Sequence, residues 1–425
     1  MLKFVTNLNF CIVVFMTLAY FYQFVYTATG LVFRHPKQEP APKKLHRFAA
    51  LISARNESDV IAELVASLKK QNYPAELLDI YVLADNCTDD TAGVARAAGA
   101  IVYKRWNQEQ VGKGYALDYL LAKIKTSGRN YDAFFIFDAD NIVDANFVCE
   151  MNKTFDRGYE ILTCYRNSKN FGANWISAGY SIWFLREARF LNFPRMLMGN
   201  SCAVSGTGFM VSNAVVEKNG GWPFHLLTED IQFSTHSILE GYKIGYCDRA
   251  MVYDEQPTSF SQSWNQRLRW SKGFYQVDAQ YLGALAKGTI KKKGNRFSCY
   301  DMMMTVAPGM LLTLAVLIFN AVVVVSCFTQ PDFITYRILK ASVRYLSLAM
   351  VNFYVGLVLY ALLTVISEWK RIEATTFHKL IYIGLFPIFM ATYIPISLVA
   401  LVRRVEWKPI KHFSNAMELS DAHRS

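Results

Sequence analysis

Two aspartates, Asp138 and Asp140, stand two residues apart after the apolar run Phe134 to Phe137. If that run ends as an extended strand, both carboxylates lie on one side of the chain and can face one pocket. Paired hard oxygen donors suit Mg2+ or Mn2+, ions that also take phosphate oxygens from a substrate. A solvated turn is the bland reading of the same pair. Further along, Thr228, Glu229 and Asp230 precede a helical pattern starting at Ile231. Alone they read as a helix cap with acidic first-turn residues favoured by the helix dipole. Their chemical reading depends on Gln266, Arg267, Leu268, Arg269 and Trp270. In that group Gln offers a hydrogen bond, Arg a fixed cation for phosphate and Trp a flat stacking surface. A basic amphipathic helix lying on a membrane is the alternative, and both can hold together. Gly206, Thr207 and Gly208 form either a tight turn or a pocket floor, where missing side chains let a ligand approach the backbone.

The elements that must position these residues follow a βαβ rhythm between Arg47 and Asp254. Strands are expected at Phe48 to Ser53, Ile80 to Ala84, Ile101 to Lys104 and Ala133 to Phe137, with helices at Ser58 to Lys70, Asp90 to Ala98 and Gly114 to Lys125. Such alternation implies an α/β fold with a mainly parallel sheet covered on both faces, whose ligands collect at the carboxyl ends of the strands. The polar clusters sit at those ends: Ala54, Arg55, Asn56 and Glu57, then Asp85 and Asn86, then Asp138 to Asp140. Turn chemistry explains any one of them, but three in succession point to a site.

The 425 residues are 52% hydrophobic and 15% aromatic, enough for one large domain plus membrane segments and too apolar for disorder. The net charge of +11 comes from Lys and Arg that cluster beside apolar segments, as a cytoplasmic membrane surface favours; no nucleic-acid-binding module is recognisable. The eight cysteines, Cys87, Cys149, Cys164, Cys202 and Cys247 among them, show no metal-like spacing, which fits a reduced compartment. Membrane spans are expected at Phe10 to Phe33, Met303 to Phe328, Tyr345 to Ile366 and Leu380 to Val402, each near the roughly 20 residues required. The flank Arg34, Lys37, Lys43, Lys44 and Arg47, with Pro36, Pro40 and Pro42, reads as a basic extended linker on the cytoplasmic side. Lys291, Lys292 and Lys293 read likewise as a positive-inside flank. Three C-terminal spans would put the tail outside, whereas Arg403, Arg404, Lys408 and Lys411 look cytoplasmic; Pro387 and Pro395 mark a broken or re-entrant segment within the last run. The stretch Asn174 to Met198, rich in aromatics and Arg, is expected to hold an interfacial or core helix.

In this order the motifs resemble family 2 glycosyltransferases of the GT-A fold, particularly the processive membrane synthases of cellulose, chitin, hyaluronan and poly-N-acetylglucosamine. The likeness rests on Ser53 to Glu57, Asp85 to Thr91, Gly112 to Gly114, Asp138 to Asp140, and Thr228 to Asp230 with Gln266 to Trp270. Asn86 and Cys87 stand where many relatives have Gly-Ser. The resemblance implies donor contacts from Ala54, Asn56, Glu57, Asp85, Lys113, Asp138, Gln266 and Arg269, with Asp85 and Asp138 near the uridine and ribose. It implies a Mg2+ or Mn2+ ion on Asp140 and Asp138, Asp230 as general base beside Glu229, and acceptor contacts from Gly206, Thr207, Gly208 and Trp270. It further implies four regions: a membrane helix and linker at 1–45, a GT-A domain at 46–255, interfacial helices at 256–300, and a membrane region with a basic tail at 301–425. The expected activity is inverting transfer from a UDP-sugar to a growing polysaccharide in a multi-pass cell-membrane protein whose catalytic domain faces the cytoplasm. Single-sugar transfer to a membrane lipid is the alternative, and an inactive sugar-binding scaffold the second.

Overall fold

The computed structural model describes residues 2–33, 39–291, 295–307, 318–326 and 332–405. Helix α1 (Leu2–Val32) is apolar around its circumference and leaves Phe10, Phe15, Phe21 and Phe24 exposed, as a helix in lipid does. An extended segment then runs along the domain, its Lys43 amide donating to Asp156 at 2.8 Å and its Lys44 ammonium to Asp132 at 3.1 Å.

Strands β1 (Phe48–Ala54), β2 (Leu78–Asp85), β3 (Ile101–Arg105) and β4 (Ala133–Asp138) alternate with α2 (Ile61–Lys69), α3 (Thr91–Ala97) and α4 (Lys113–Thr126), within two or three residues of the expected bounds. The chain continues through β5 (Ile142–Val143), α5 (Phe147–Phe155) and β6 (Ile161–Ser168). Helix α6 (Trp175–Glu187) passes through a π-helical turn at Ala188–Asn192 into α7 (Phe193–Leu197), largely as core within the stretch expected to be helical. Then follow β7 (Phe209–Ser212), α8 (Asn213–Lys218), α9 (Glu229–Glu240) and β8 (Ile244–Asp254).

The sheet order is β3-β2-β1-β4-β7-β6-β8-β5. The first four strands are mutually parallel and β6 is parallel to β8, whereas β7 runs against β4 and β6, and β5 against β8. Both faces are covered, which is why the strands read as continuous apolar runs. Phe48, Ala50 and Ile52 pack with α2, α3 and α5, while Ala49 and Leu51 face α4, α9 and α6. Phe48, Phe135, Phe137 and Phe147 are fully buried, each contributing about 1.5–3 kcal/mol by leaving water.

Beyond the sheet lie α10 (Phe260–Lys291), α11 (Arg296–Val306), a helical stretch α12 at 318–326, α13 (Asp332–Ser367), α14 (Thr376–Ala391) and α15 (Tyr393–Val402). Among the described residues, Thr6–Val32, Met350–Ser367 and Thr376–Val402 are long and apolar enough to cross a membrane. Three of the expected spans fall there. The fourth, Met303 to Phe328, lies partly outside the described residues, as do Arg34, Pro36, Lys37, Lys292, Lys293, Lys408 and Lys411. The last run is interrupted at Thr392, between α14 and α15. Pro395 has no N–H for the carbonyl four residues back. Buried Arg267 of α10 covers this break, donating to the Phe389 carbonyl at 3.1 Å and to Thr392 Oγ1 at 2.6 Å. Asp301 of α11 accepts from Arg195 of α7 at 2.7 Å and from Tyr26 of α1 at 2.8 Å, which ties the first helix to the core. The cysteines at 11, 87, 149, 164, 202, 247 and 299 are all free thiols.

Candidate active site

A cavity of about 540 Å3 opens at the carboxyl ends of β1, β2 and β4, within the roughly 300–1,000 Å3 usual for small-molecule sites. Asp138 ends β4, and Ala139 and Asp140 lie in a turn closed by the Asn141 amide on the Asp138 carbonyl at 3.3 Å. The two carboxylates thus reach the cavity by a turn, not by the strand alternation expected from their spacing, because the strand stops at the first of them. Thr207 Oγ1 fixes the bend by accepting the Asp138 amide at 2.9 Å and donating to Asn141 Oδ1. Asn141 in turn donates to Asp140 at 3.3 Å and to Asp254 at 2.9 Å. Asp254, at the end of β8, also accepts from Gln256 at 2.8 Å and from the Arg166 guanidinium, whose Nε lies at 2.9 Å.

Lys113 begins α4 behind Gly112, whose φ is +139°. Its ammonium reaches Asp138 Oδ1 at 2.5 Å and the Gly206 carbonyl at 2.7 Å, and Asp138 holds the Lys113 proton more tightly than in water despite the opposing cost of burial. Gly114, one residue on, meets the loop before α9 so closely that a Cβ would lie 2.0 Å from the Phe224 carbonyl oxygen. The next side chain, Tyr115, stacks on His225 with centroids 4.0 Å apart. Gly114→Ala therefore cannot fit without parting Lys113 from the Glu229–Asp230 segment. We expect a catalytic loss on the order of a hundredfold from misplacement alone, although Ala is the better helix former by about 1 kcal/mol. Wild-type turnover in Gly114→Ala would show that this contact does not set the site.

At the end of β1 and in the loop after it, Ser53, Arg55 and Glu57 line the cavity. Ala54 packs in the core beneath the sheet. Asn56 takes a left-handed φ of +58° and accepts the Thr88 amide at 2.7 Å, joining the first two polar loops. Asp85 is buried, paired with Arg105 at 2.7 Å, and lines the cavity; burial raises its carboxyl against the pull of Arg105. Asn86 also has a positive φ, +53°, a conformation open to Asn and Gly.

Glu229 and Asp230 occupy the first turn of α9 and line the cavity. Thr228 stands at the cap, yet its hydroxyl bonds no first-turn amide and is buried against Gly273 of α10. Burial, followed by the Asp230 charge, pushes the Glu229 carboxyl up to about 7; burial also raises that of Asp230. A Cβ built on Gly206 would lie 3.9 Å from Oδ2 of Asp138 and equally 3.9 Å from Oδ2 of Asp230. Gly206, with φ +76°, therefore lies near both carboxylates, and the Arg166 guanidinium is nearer still, 3.5 Å from the same point. Thr207 and Gly208 lie beneath it: a Cβ on Gly208 would strike Cys164 Sγ at 2.4 Å, so that glycine serves packing.

Gln266, Arg269 and Trp270 of α10 line the same cavity. Arg269 donates to the Leu227 carbonyl at 3.0 Å, and Trp270 sits edge-on to Tyr180 and Phe184 at 5.6 and 6.2 Å. Among the described residues no group of three or more His, Cys, Asp and Glu could hold a metal by itself. Two carboxylates at a turn nonetheless fit Mg2+ or Mn2+, whose remaining ligands are ordinarily water and substrate phosphate. Arg55 of the first polar cluster also lines the cavity, as do Arg166, Glu187 and Asp254, which no sequence motif marks. The signal for Arg55 was its strand-phase neighbours Ser53 and Glu57; the Arg166–Asp254 pair spans 88 residues and left no local trace.

The profile of the family described as "Glycosyltransferase like family 2" matches residues 46–273. The chain is 24% identical over 316 residues to the probable glycosyltransferase YdaM of Bacillus subtilis, covering 69% of each protein. It is 28% identical over 291 residues to the beta-monoglucosyldiacylglycerol synthase of Nostoc sp., covering 65% of this chain and 59% of that one. It is 26% identical over 244 residues to the poly-beta-1,6-N-acetyl-D-glucosamine synthase of Staphylococcus aureus, covering 55% and 56%. The chain thus spans less than two thirds of the length of the latter two. Among solved structures, the mannosyltransferase PcManGT from Pyrobaculum calidifontis, in complex with GDP-Man and Mn2+, aligns over 95% of this chain and 99% of its own, with a TM-score of 0.57 and 15% identity. Sheet order, covering helices and this likeness define a GT-A glycosyltransferase domain accompanied by membrane-type helices. The chain belongs to the family 2 glycosyltransferases.

Proposed function

We propose that this protein transfers a sugar, with inversion, from a UDP-sugar to the end of a growing glycan at the cytoplasmic face of a membrane. The observation that carries the reading is the convergence of Asp138 and Asp230 near Gly206 in one cavity, with Lys113 and Arg269 at hand. In this reading Asp230 takes the proton of an acceptor hydroxyl as that oxygen attacks the anomeric carbon from the face opposite the leaving diphosphate. Lys113 and Arg269 bind and orient the diphosphate, and Asp85 with Arg55 and Glu57 holds the nucleoside. Asp138 and Asp140 would hold a Mg2+ or Mn2+ ion, which would supply positive charge for a departing nucleoside diphosphate. Trp270 offers the acceptor sugar an aromatic platform. The burial that raises Glu229 and Asp230 also keeps a proton-accepting group out of bulk water near its working pH.

A lipid acceptor is the second reading. It is favoured by Met304, Val306, Ala307 and Met390, which give the cavity an apolar wall from the helices beyond the sheet, and by the likeness to the beta-monoglucosyldiacylglycerol synthase. The test is nucleoside diphosphate release by detergent-purified protein, supplied in turn with UDP-glucose, UDP-N-acetylglucosamine and GDP-mannose, with Mg2+, Mn2+ or EDTA. Release with one UDP-sugar, lost in EDTA and accompanied by products of several added sugars, is expected. A single-sugar lipid product would replace the glycan reading, and release with GDP-mannose alone would overturn the choice of UDP.

A further inference from the structure

Helix α10 does not end its contact with the cavity at Trp270. Phe274 and Asp278 follow at steps of four residues, and Ser271 and Tyr275 lie beside them; all four line the cavity. Residues four apart share one face of a helix, so this face is a track leading away from the donor side. Asp278 stands about 12 Å beyond Trp270 along the helix axis, at 1.5 Å per residue, a span of more than one sugar ring.

The surroundings of Asp278 are unusual for a carboxylate. Its Oδ1 is buried with no hydrogen-bond partner among the described residues, and the same holds for the Ser271 hydroxyl. Burial alone pushes its carboxyl up to about 7, with no charged neighbour contributing. A half-buried acid without cation or donor costs stability, and buried polar groups left unpaired in a folded protein call for an explanation. Tyr275 is committed elsewhere, its hydroxyl donating to the Ser397 carbonyl at 3.2 Å. Acid, hydroxyl and the Phe274 ring on one helix face together offer what a sugar needs: acceptors for its hydroxyls and an apolar surface for its ring face.

We infer that Asp278, with Ser271 and Phe274, forms a second sugar-binding subsite, which takes hydroxyl hydrogen bonds from a sugar of the acceptor behind the one held at Trp270. The inference rests on the glycan-acceptor reading. Bound there, an already extended acceptor is held more firmly than a short one, so the subsite favours elongation over initiation.

The experiment uses full-length protein in detergent, its best donor, and β-linked gluco-oligosaccharides and N-acetylglucosamine oligomers of one to five residues as acceptors. For each acceptor, KM is read from acceptor-stimulated nucleoside diphosphate release in wild type, Asp278→Asn and Asp278→Leu. In wild type KM should fall roughly tenfold once the acceptor is long enough to reach Asp278, the effect of a hydrogen bond to a charged group. In Asp278→Leu the long-chain advantage should vanish, and in Asp278→Asn part of it should remain. Thermal melts should show both variants at least as stable as wild type, since an unpaired buried acid is removed. A length step that persists unchanged in both variants overturns the subsite while leaving the glycan reading intact. If no oligosaccharide of either kind stimulates release by protein that still releases nucleoside diphosphate slowly without acceptor, the glycan reading falls and the subsite with it.

Discussion

Asp230→Asn should lower sugar transfer by roughly 10²–10⁴-fold, the usual worth of a general base, while nucleotide affinity changes little. The isosteric amide keeps the first turn of α9 and its place beside Gly206, but cannot take a proton. The pH dependence adds a sharper test. Glu229 and Asp230 are neighbours whose carboxyls are both raised by burial, Glu229 to about 7, and each resists the other's ionisation. Asp230 can take a proton only once its own carboxyl has ionised, so the transfer rate should rise with pH along a limb displaced above the ordinary aspartate range and then level. Glu229→Gln removes one of the two like charges; the limb should then move to lower pH and the plateau should persist. The stability sign is the opposite. A carboxyl whose folded pKa is raised binds its proton more tightly folded than unfolded, so its contribution is complete below the unfolded carboxylate range and is lost as pH rises through the folded value. Glu229→Gln should therefore melt above wild type at pH 8 and gain much less at pH 5. A pH-rate limb that stays in place in Glu229→Gln would show that the two carboxyls do not share the titration that governs transfer.

Much of the site was legible because it is local. Strand ends carry their polar clusters in the next few residues, so periodicity and turn chemistry mark Asp85 and Asp138, whereas Lys113 is marked only by the family resemblance. What escaped was phase and distance. The pleat of β1 and its following loop brings Ser53, Arg55 and Glu57 to the cavity, whereas Ala54 is in the core and Asn56 braces a neighbouring loop. The spacing of Asp138 and Asp140 suggests a strand where a turn does the work, since the strand end depends on Thr207, 69 residues further along the chain, bonded to the adjacent Asn141. Strands β5, β6, β7 and β8 have no counterpart in the local sequence pattern. Their order in the sheet, with β7 antiparallel between β4 and β6, is fixed by pairing over long sequence separations that no local pattern records. The same holds for Arg166, whose partner Asp254 lies on a different strand. Cavity-lining Asp278 had no motif around it; only the helix that carries it makes it part of the site.

The two arginines of Gln266 to Trp270 show how one short motif can be divided between structure and chemistry. Arg267 is fully buried; its guanidinium donates to the Phe389 carbonyl and Thr392 Oγ1 at the break between α14 and α15, and lies 4.4 Å from the Phe389 ring centroid. Arg269, two residues on, points to the cavity side and bonds the Leu227 carbonyl before the Glu229–Asp230 turn. Arg267→Met should therefore destabilise by roughly 3–5 kcal/mol, the sum of two hydrogen bonds from a charged donor and the cost of leaving buried acceptors unpaired. Its melting temperature should drop by roughly 6 °C or more if the shift follows that of other large domains. Arg267→Lys should recover part of this, since one ammonium can reach one of the two acceptors but not both in fork geometry. Arg269→Met should leave the melting temperature near wild type and lower transfer by roughly 10²–10³-fold, the scale seen when a fixed charge is removed from a developing anion. Paired melts and nucleoside diphosphate release on the three variants check the division. If Arg269→Met proved the unstable protein and Arg267→Met the stable but inactive one, the roles would be exchanged. The last apolar run would then have to be held across its break by something other than Arg267.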